Sequence, residues 1–177
     1  TKDSNEVSWH QKNPKTSVDL ILSTCADKNA HILDVGGGDS ALVDKLLELG
    51  FRNISVLDIA SNAIERAKKR LGDKAKGVKW IVSDIREFKT TDKYDVWHDR
   101  AALHFLTFDE DIRKYVETVR KFLKPNGYLI TSTFSINGPK KCSGLDVKQY
   151  SQDSMKQLFN TFEHVKSFEE EHLTPSG

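Results

Sequence analysis

The residues in this sequence best suited to chemistry are acids at the ends of short apolar runs, the first followed by a cluster of glycines. His31 to Ser40 reads His-Ile-Leu-Asp-Val-Gly-Gly-Gly-Asp-Ser. Ile32, Leu33 and Val35 surround Asp34, and after the glycines Ala41, Leu42, Val43, Leu46, Leu47 and Leu49 take helical spacing. This pattern predicts strand, tight turn, helix. Glycine serves where the backbone must take a positive φ or let a ligand come close, and the helix start behind it presents unpaired N–H groups. Such a loop cradles a nucleotide cofactor. Asp58, Asp84 and the group His98-Asp99-Arg100 each close a later apolar run. Carboxylates at those places can accept hydrogen bonds from a ribose, His98, Asp99 and His104 can take a proton, and the Arg100 guanidinium favours an anionic group.

Two cofactor patterns fit the loop. Gly36-x-Gly38-x-x-Ala41 matches the dinucleotide fingerprint, with Asp58 20 residues beyond Gly38 where a ribose-binding acid belongs. Taken alone that match is weak, and Asp34-x-Gly36-x-Gly38, with Ser40 in place of a last glycine, matches the alternative, a loop that holds S-adenosylmethionine (SAM).

The surrounding elements follow from periodicity. Residues 1–14 form a polar arm in which Trp9 either packs on the domain surface or covers a bound cofactor. Val18, Ile21, Leu22 and Cys25 mark a first helix, and the helix after the glycines stops at Gly50. Ile54 to Asp58 is a second strand. Ser61 caps a helix through Ile64, Ala67 and Leu71 that ends at Gly72. Lys79 to Val82 and Tyr94 to Trp97 are the third and fourth strands. Thr107 and Glu110 form a capping box opening a helix that runs to Lys124, where Pro125-Asn126-Gly127 breaks it. Tyr128 to Phe134 is a fifth strand, residues 135–150 a loop, Ser151 the start of a last helix, and Val165 to Phe168 a sixth strand. Strands alternating with helices predict one α/β domain over residues 1–177. Its architecture is a single doubly wound, mostly parallel sheet with helices on both faces and ligands at the carboxyl ends of the strands.

Composition narrows the partners. Lys and Arg total 27 against 26 Asp and Glu, a formal charge of +1, so no global field recruits nucleic acid or an anionic membrane. Cys25 and Cys142 are too few and too scattered for a disulfide framework, which suits a cytoplasmic protein. Neither the cysteines nor the histidines have metal-ligand spacing, and no metal is expected. No apolar run reaches membrane-spanning length.

At this point the chain resembles the class I, seven-strand SAM-dependent methyltransferases, with a Rossmann-like fold. The resemblance rests on Ile32-Leu33-Asp34-Val35-Gly36-Gly37-Gly38, Leu57-Asp58-Ile59, Ser83-Asp84-Ile85, Tyr94-Asp95-Val96-Trp97 and Leu123-Lys124-Pro125-Asn126-Gly127-Tyr128-Leu129, in that order, over about residues 15–170. It implies SAM as cofactor and S-adenosylhomocysteine (SAH) as product. The Gly36 and Gly38 backbone would contact the methionine part, with Asp34 shaping that pocket and His98 near it. Asp58 would accept from the ribose hydroxyls, Ile59 would lie against the adenine, Asp84 would accept from its amino group, and the Ile85 N–H would donate to its ring. The family's seventh strand has no counterpart before Gly177.

The acceptor is less legible. Trp97-His98-Asp99-Arg100-Ala101-Ala102 partly resembles a segment of one protein-lysine methyltransferase branch, but departs from it at Arg100, Ala101 and Ala102. A small-molecule acceptor is favoured, with a protein lysine as the alternative. An NAD-binding oxidoreductase and a noncatalytic SAM-binding module are the minor alternatives. A nucleic-acid acceptor is disfavoured because the basic residues are scattered and the amino-methylation signature is missing after the fourth strand. His98, Asp99 and Arg100 are the expected acceptor wall, with residues 135–150 as a loop beside it.

Overall fold

The computed structural model describes residues 14–24, 27–100 and 102–170. Five parallel strands form the central sheet: β1 (His31–Val35), β2 (Asn53–Asp58), β3 (Val78–Val82), β4 (Tyr94–Asp99) and β5 (Leu123–Thr131), in the order β3-β2-β1-β4-β5. The order reverses direction at β1, which places the crevice for a ligand beyond the carboxyl ends of β1 and β4.

Both faces of the sheet are covered, as the alternation of elements predicts. On one face α1 (Lys15–Thr24) and α2 (Leu42–Glu48) pack Ile21, Leu42, Val43 and Leu46 against Ile32, Val56 and Val96. The end of α3 (Ser61–Leu71) joins them through Leu71. On the other face α4 (Asp109–Phe122) sets Ile112, Tyr115, Val116 and Val119 against Leu33, Leu57 and Trp97, and Phe159, just past α5 (Gln152–Leu158), closes the end. Burying side chains of this size stabilises the fold by about 1.5–3 kcal/mol each. Two apolar clusters on one sheet therefore hold it rigid beneath the crevice.

Register then decides where the polar residues point. Ile32 pairs with Val96, Leu33 with Trp97, Asp34 with His98 and Val35 with Asp99. Because successive side chains alternate between faces, Asp34 and His98 lie on the α1 side, and Asp99 lies with Trp97 on the α4 side.

Several boundaries differ from expectation. β4 runs two residues past Trp97, since His98 and Asp99 both find partners and strand pairing can continue through them. Phe108, not Thr107, precedes α4, and no side chain caps it. Three acids in its first turn suit the helix dipole instead, and Glu110 turns to Lys114 at 2.9 Å. Ser61 is the first residue of α3 and does not cap it; the N–H of Ala60 is bound by Asp58 Oδ1 at 2.8 Å. The expected cap at Ser151 is present, as a reciprocal box with Ser154.

Pairing of β5 with β4 shifts between Leu123 and Tyr128, leaving Lys124-Pro125-Asn126-Gly127 as a bulge. A Cβ on Gly127 would lie 2.9 Å from the Lys124 carbonyl and 3.0 Å from that of Asp95, so a side chain would not fit. Residues 135–150 are more structured than a loop: β6 (Lys141–Cys142) and β7 (Leu145–Asp146) form a small hairpin. The sixth strand expected at Val165 to Phe168 does not form. Val165 is 73% exposed, and the segment is held by side chains, with Thr16 donating to Glu170 at 2.9 Å and Ser167 to Gln152 at 2.7 Å.

Candidate functional site

The loop after β1 owes its shape to close backbone approaches. Gly36 has φ +72°, a conformation costly for residues with a Cβ, and its N–H donates to the Leu57 carbonyl at 2.7 Å. A Cβ on Gly37 would lie 2.2 Å from Asp34 Oδ2, and one on Gly38 would lie 2.7 Å from both Ala63 Cβ and Asp58 Oδ2. Asp58, at the end of β2, accepts from the N–H of Gly38 at 2.9 Å and from that of Ala60 at 2.8 Å. Burial raises its pKa, and those two N–H bonds oppose the rise. One carboxylate thus fastens the glycine loop to the start of α3.

A second fastening was not legible in the sequence. Arg66 and Arg70, one turn apart on α3, reach back to the loop. Arg66 binds both oxygens of Asp39, with Nε at 2.9 Å, and Arg70 binds Asp44 and the Ser40 carbonyl at 2.8 Å each. The Ser40 hydroxyl accepts from the N–H of Leu42 at 3.1 Å, supporting the start of α2. The i, i+4 spacing of two arginines was the available signal.

Asp34 and His98, adjacent across β1 and β4, form a buried pair. Nδ1 of His98 lies 2.7 Å from Asp34 Oδ1 and Nε2 lies 3.0 Å from the Ser17 hydroxyl of α1. Both ring nitrogens are therefore engaged, in an arrangement that orients Asp34. The other Asp34 oxygen, Oδ2, is buried without a hydrogen-bond partner among the described residues. A buried carboxylate oxygen left open beside a glycine loop suits a ligand donor group.

His98, Asp99 and Arg100 do not converge on one wall. Asp99 is 1% exposed on the opposite face, where it accepts from the N–H groups of Ala102 at 2.7 Å and Leu103 at 3.1 Å and from the Tyr115 hydroxyl at 2.6 Å. It holds the 3-10 turn Leu103–Phe105 in place. The half-buried Arg100 lies beyond the strand, where desolvation lowers its pKa and the charges of Asp34 and Glu170 oppose that.

Asp84 follows β3 and lines the cleft, with its carboxylate bound by the Arg86 side chain and backbone N–H. The Arg86 hydrogen bond lowers the Asp84 pKa. Ile59 stands 68% exposed at the cleft and Ile85 is buried. Trp9 lies outside the described residues. Among the described residues no group of three or more His, Cys, Asp or Glu is arranged for a metal ion, and no helix is long and apolar enough to cross a membrane.

A parallel sheet reversing at β1, with a glycine loop there and acids at the end of β2 and just after β3, defines a Rossmann-like nucleotide-binding protein. The chain belongs to the methyltransferase domain family, whose model matches residues 26–175. It is 28% identical over 111 residues to nodulation protein S of Rhizobium tropici, covering 63% of this chain and 46% of that protein. It is 31% identical over 122 residues to a ubiquinone biosynthesis O-methyltransferase of Rickettsia canadensis, covering 68% and 49%. The structure of the N-methyltransferase NodS from Bradyrhizobium japonicum in complex with SAH superposes with a TM-score of 0.59 at 25% identity, over 68% of this chain and 63% of that one. This chain spans about half the length of the two sequence relatives. The residues present fit SAM: the open Asp34 Oδ2 and the Asp58 carboxylate offer acceptors at a loop where no Cβ fits at Gly37 or Gly38, and Asp84, paired with Arg86, lines the same cleft.

Proposed function

We propose that this protein is a SAM-dependent methyltransferase acting on a small-molecule acceptor, in a cytoplasmic setting. The observation that carries the reading is the pair of acceptor carboxylates at the glycine loop. Asp34 and Asp58 both approach it, with Asp34 Oδ2 open, while Asp39 is neutralised by Arg66. That environment opposes the diphosphate of a dinucleotide and suits a ligand with a sulfonium, an ammonium and ribose hydroxyls. Bound SAM supplies a methyl group on positively charged sulfur, ready for in-line displacement.

The chain's own residues bind, orient and exclude water. The loop at Gly36 and Gly38 would receive the methionine part, with Asp34 accepting a donor there and His98 and Ser17 holding Asp34 in place. Asp58 has lone pairs beyond its two backbone bonds for the ribose hydroxyls. Ile59 would lie on the adenine, and Asp84 and the Ile85 N–H would read its edge. Trp9 would cover the cofactor from the N-terminal arm. Arg100 would favour an anionic or neutral acceptor over a lysine ammonium, which supports a small molecule over a protein lysine. The relative named as a ubiquinone biosynthesis O-methyltransferase also supports a small acceptor.

Transfer of a labelled methyl group from SAM tests this reading, with amino sugars, phenols, carboxylic acids and lysine peptides as separate acceptors. Label is expected in one of the small-molecule classes. Label in lysine peptides alone would contradict it.

A further inference from the structure

Resting on that reading, we propose that His104 and Tyr150 form the polar end of an acceptor subsite for an uncharged planar ring that carries a hydroxyl group. Both residues line the cleft that holds Asp34 and Asp58. They are 5% and 7% exposed, and His104 Nδ1, His104 Nε2 and the Tyr150 hydroxyl have no hydrogen-bond partner among the described residues. A histidine kept for packing alone normally has a partner for at least one ring nitrogen, and leaving both open costs stability. Three open polar atoms on two residues lining that cleft are available to a ligand's hydrogen-bonding edge.

The walls are aromatic. The His104 ring lies 4.4 Å from the Phe105 ring and 4.9 Å from the Phe134 ring, centre to centre, so the polar atoms stand among aromatic rings with which a planar ligand can pack. Backbone bonds tie both polar residues to the segments after β4 and β5. Lys148 N–H donates to the His104 carbonyl at 2.8 Å, and Tyr150 N–H donates to that of Phe134 at 2.9 Å. Asp99 is the positioning residue, since its carboxylate binds the N–H groups of Ala102 and Leu103 at the start of the His104 turn. A neutral imidazole offers one donor and one acceptor, and a phenol hydroxyl is both, so the two are complementary. An ammonium is a donor only and brings a charge into an apolar, desolvated place.

The test uses the full chain with SAH bound and catechol as the probe. Calorimetry is expected to show catechol binding while butylamine does not bind, and the His104 ring NMR signals are expected to shift on catechol addition. His104→Phe and Tyr150→Phe should each weaken catechol about tenfold or more while leaving SAH affinity unchanged. His104→Phe should also melt about 2–6 °C higher, because two unpaired buried nitrogens are removed. Equal catechol affinity in both variants and the parent chain would overturn the subsite, as would butylamine binding as tightly as catechol, or no catechol binding by a chain that binds SAH. A parent chain that fails to bind SAH would overturn the cofactor reading itself.

Discussion

Burial alone lowers the His104 pKa from 6.5 to about 4, so the folded chain keeps this imidazole neutral where the unfolded chain protonates it. The unfolded state then binds more protons, and stability falls as pH drops from about 6.5 towards 4. The full loss is about 3 kcal/mol. Urea titrations across that range should show the fall, and His104→Phe should flatten it by that amount; an unchanged slope in the variant would place the acid sensitivity elsewhere. Asp58 has two roles to lose. Asp58→Ala should weaken SAH by roughly 2–4 kcal/mol in calorimetry. It should also lower the melting temperature, because the N–H groups of Gly38 and Ala60 lose their acceptor. Asp34, the glycines and Asp58 were legible because their spacing along the chain reflects one loop and its neighbouring strand end. Ser17, Arg66 and Tyr115 were not, because each acts through a partner on another element: His98, Asp39 and Asp99.

Between elements, the sheet and the helices over it were legible wherever apolar residues carried the period. Polar strand ends were harder. Trp97 was expected to end β4, yet Asp99 stays in the strand because Tyr115 on α4 supplies a hydroxyl 2.6 Å away, a contact invisible to local pattern. Side-chain caps failed at Thr107 and Ser61 and held at Ser151, since a cap depends on where the neighbouring acid turns; Glu110 faces Lys114 instead. A sixth strand at Val165 to Phe168 had the right residue types, but strand formation needs a ladder partner. The Asp99 contact gives a test of how α4 and β4 are joined. Tyr115→Phe removes one donor from a buried carboxylate and should cost about 1–3 kcal/mol in chemical denaturation. The ring packing against Trp97 would remain, so a cost near zero would show that the Tyr115 hydroxyl does not secure Asp99.

For the molecule as a whole, the packed sheet, the fastened glycine loop and the acceptor carboxylates of Asp34 and Asp58 converge on one claim: this fold binds SAM and its product. A ligand that binds only the folded state, at a hundredfold excess over its dissociation constant, adds about 2.7 kcal/mol, or roughly 5–10 °C in melting temperature for a domain of this size. The most direct measurement is a thermal melt of the full chain with SAH and, separately, with NADH. The account predicts a shift of that size with SAH and none with NADH; a shift with NADH and none with SAH would contradict it.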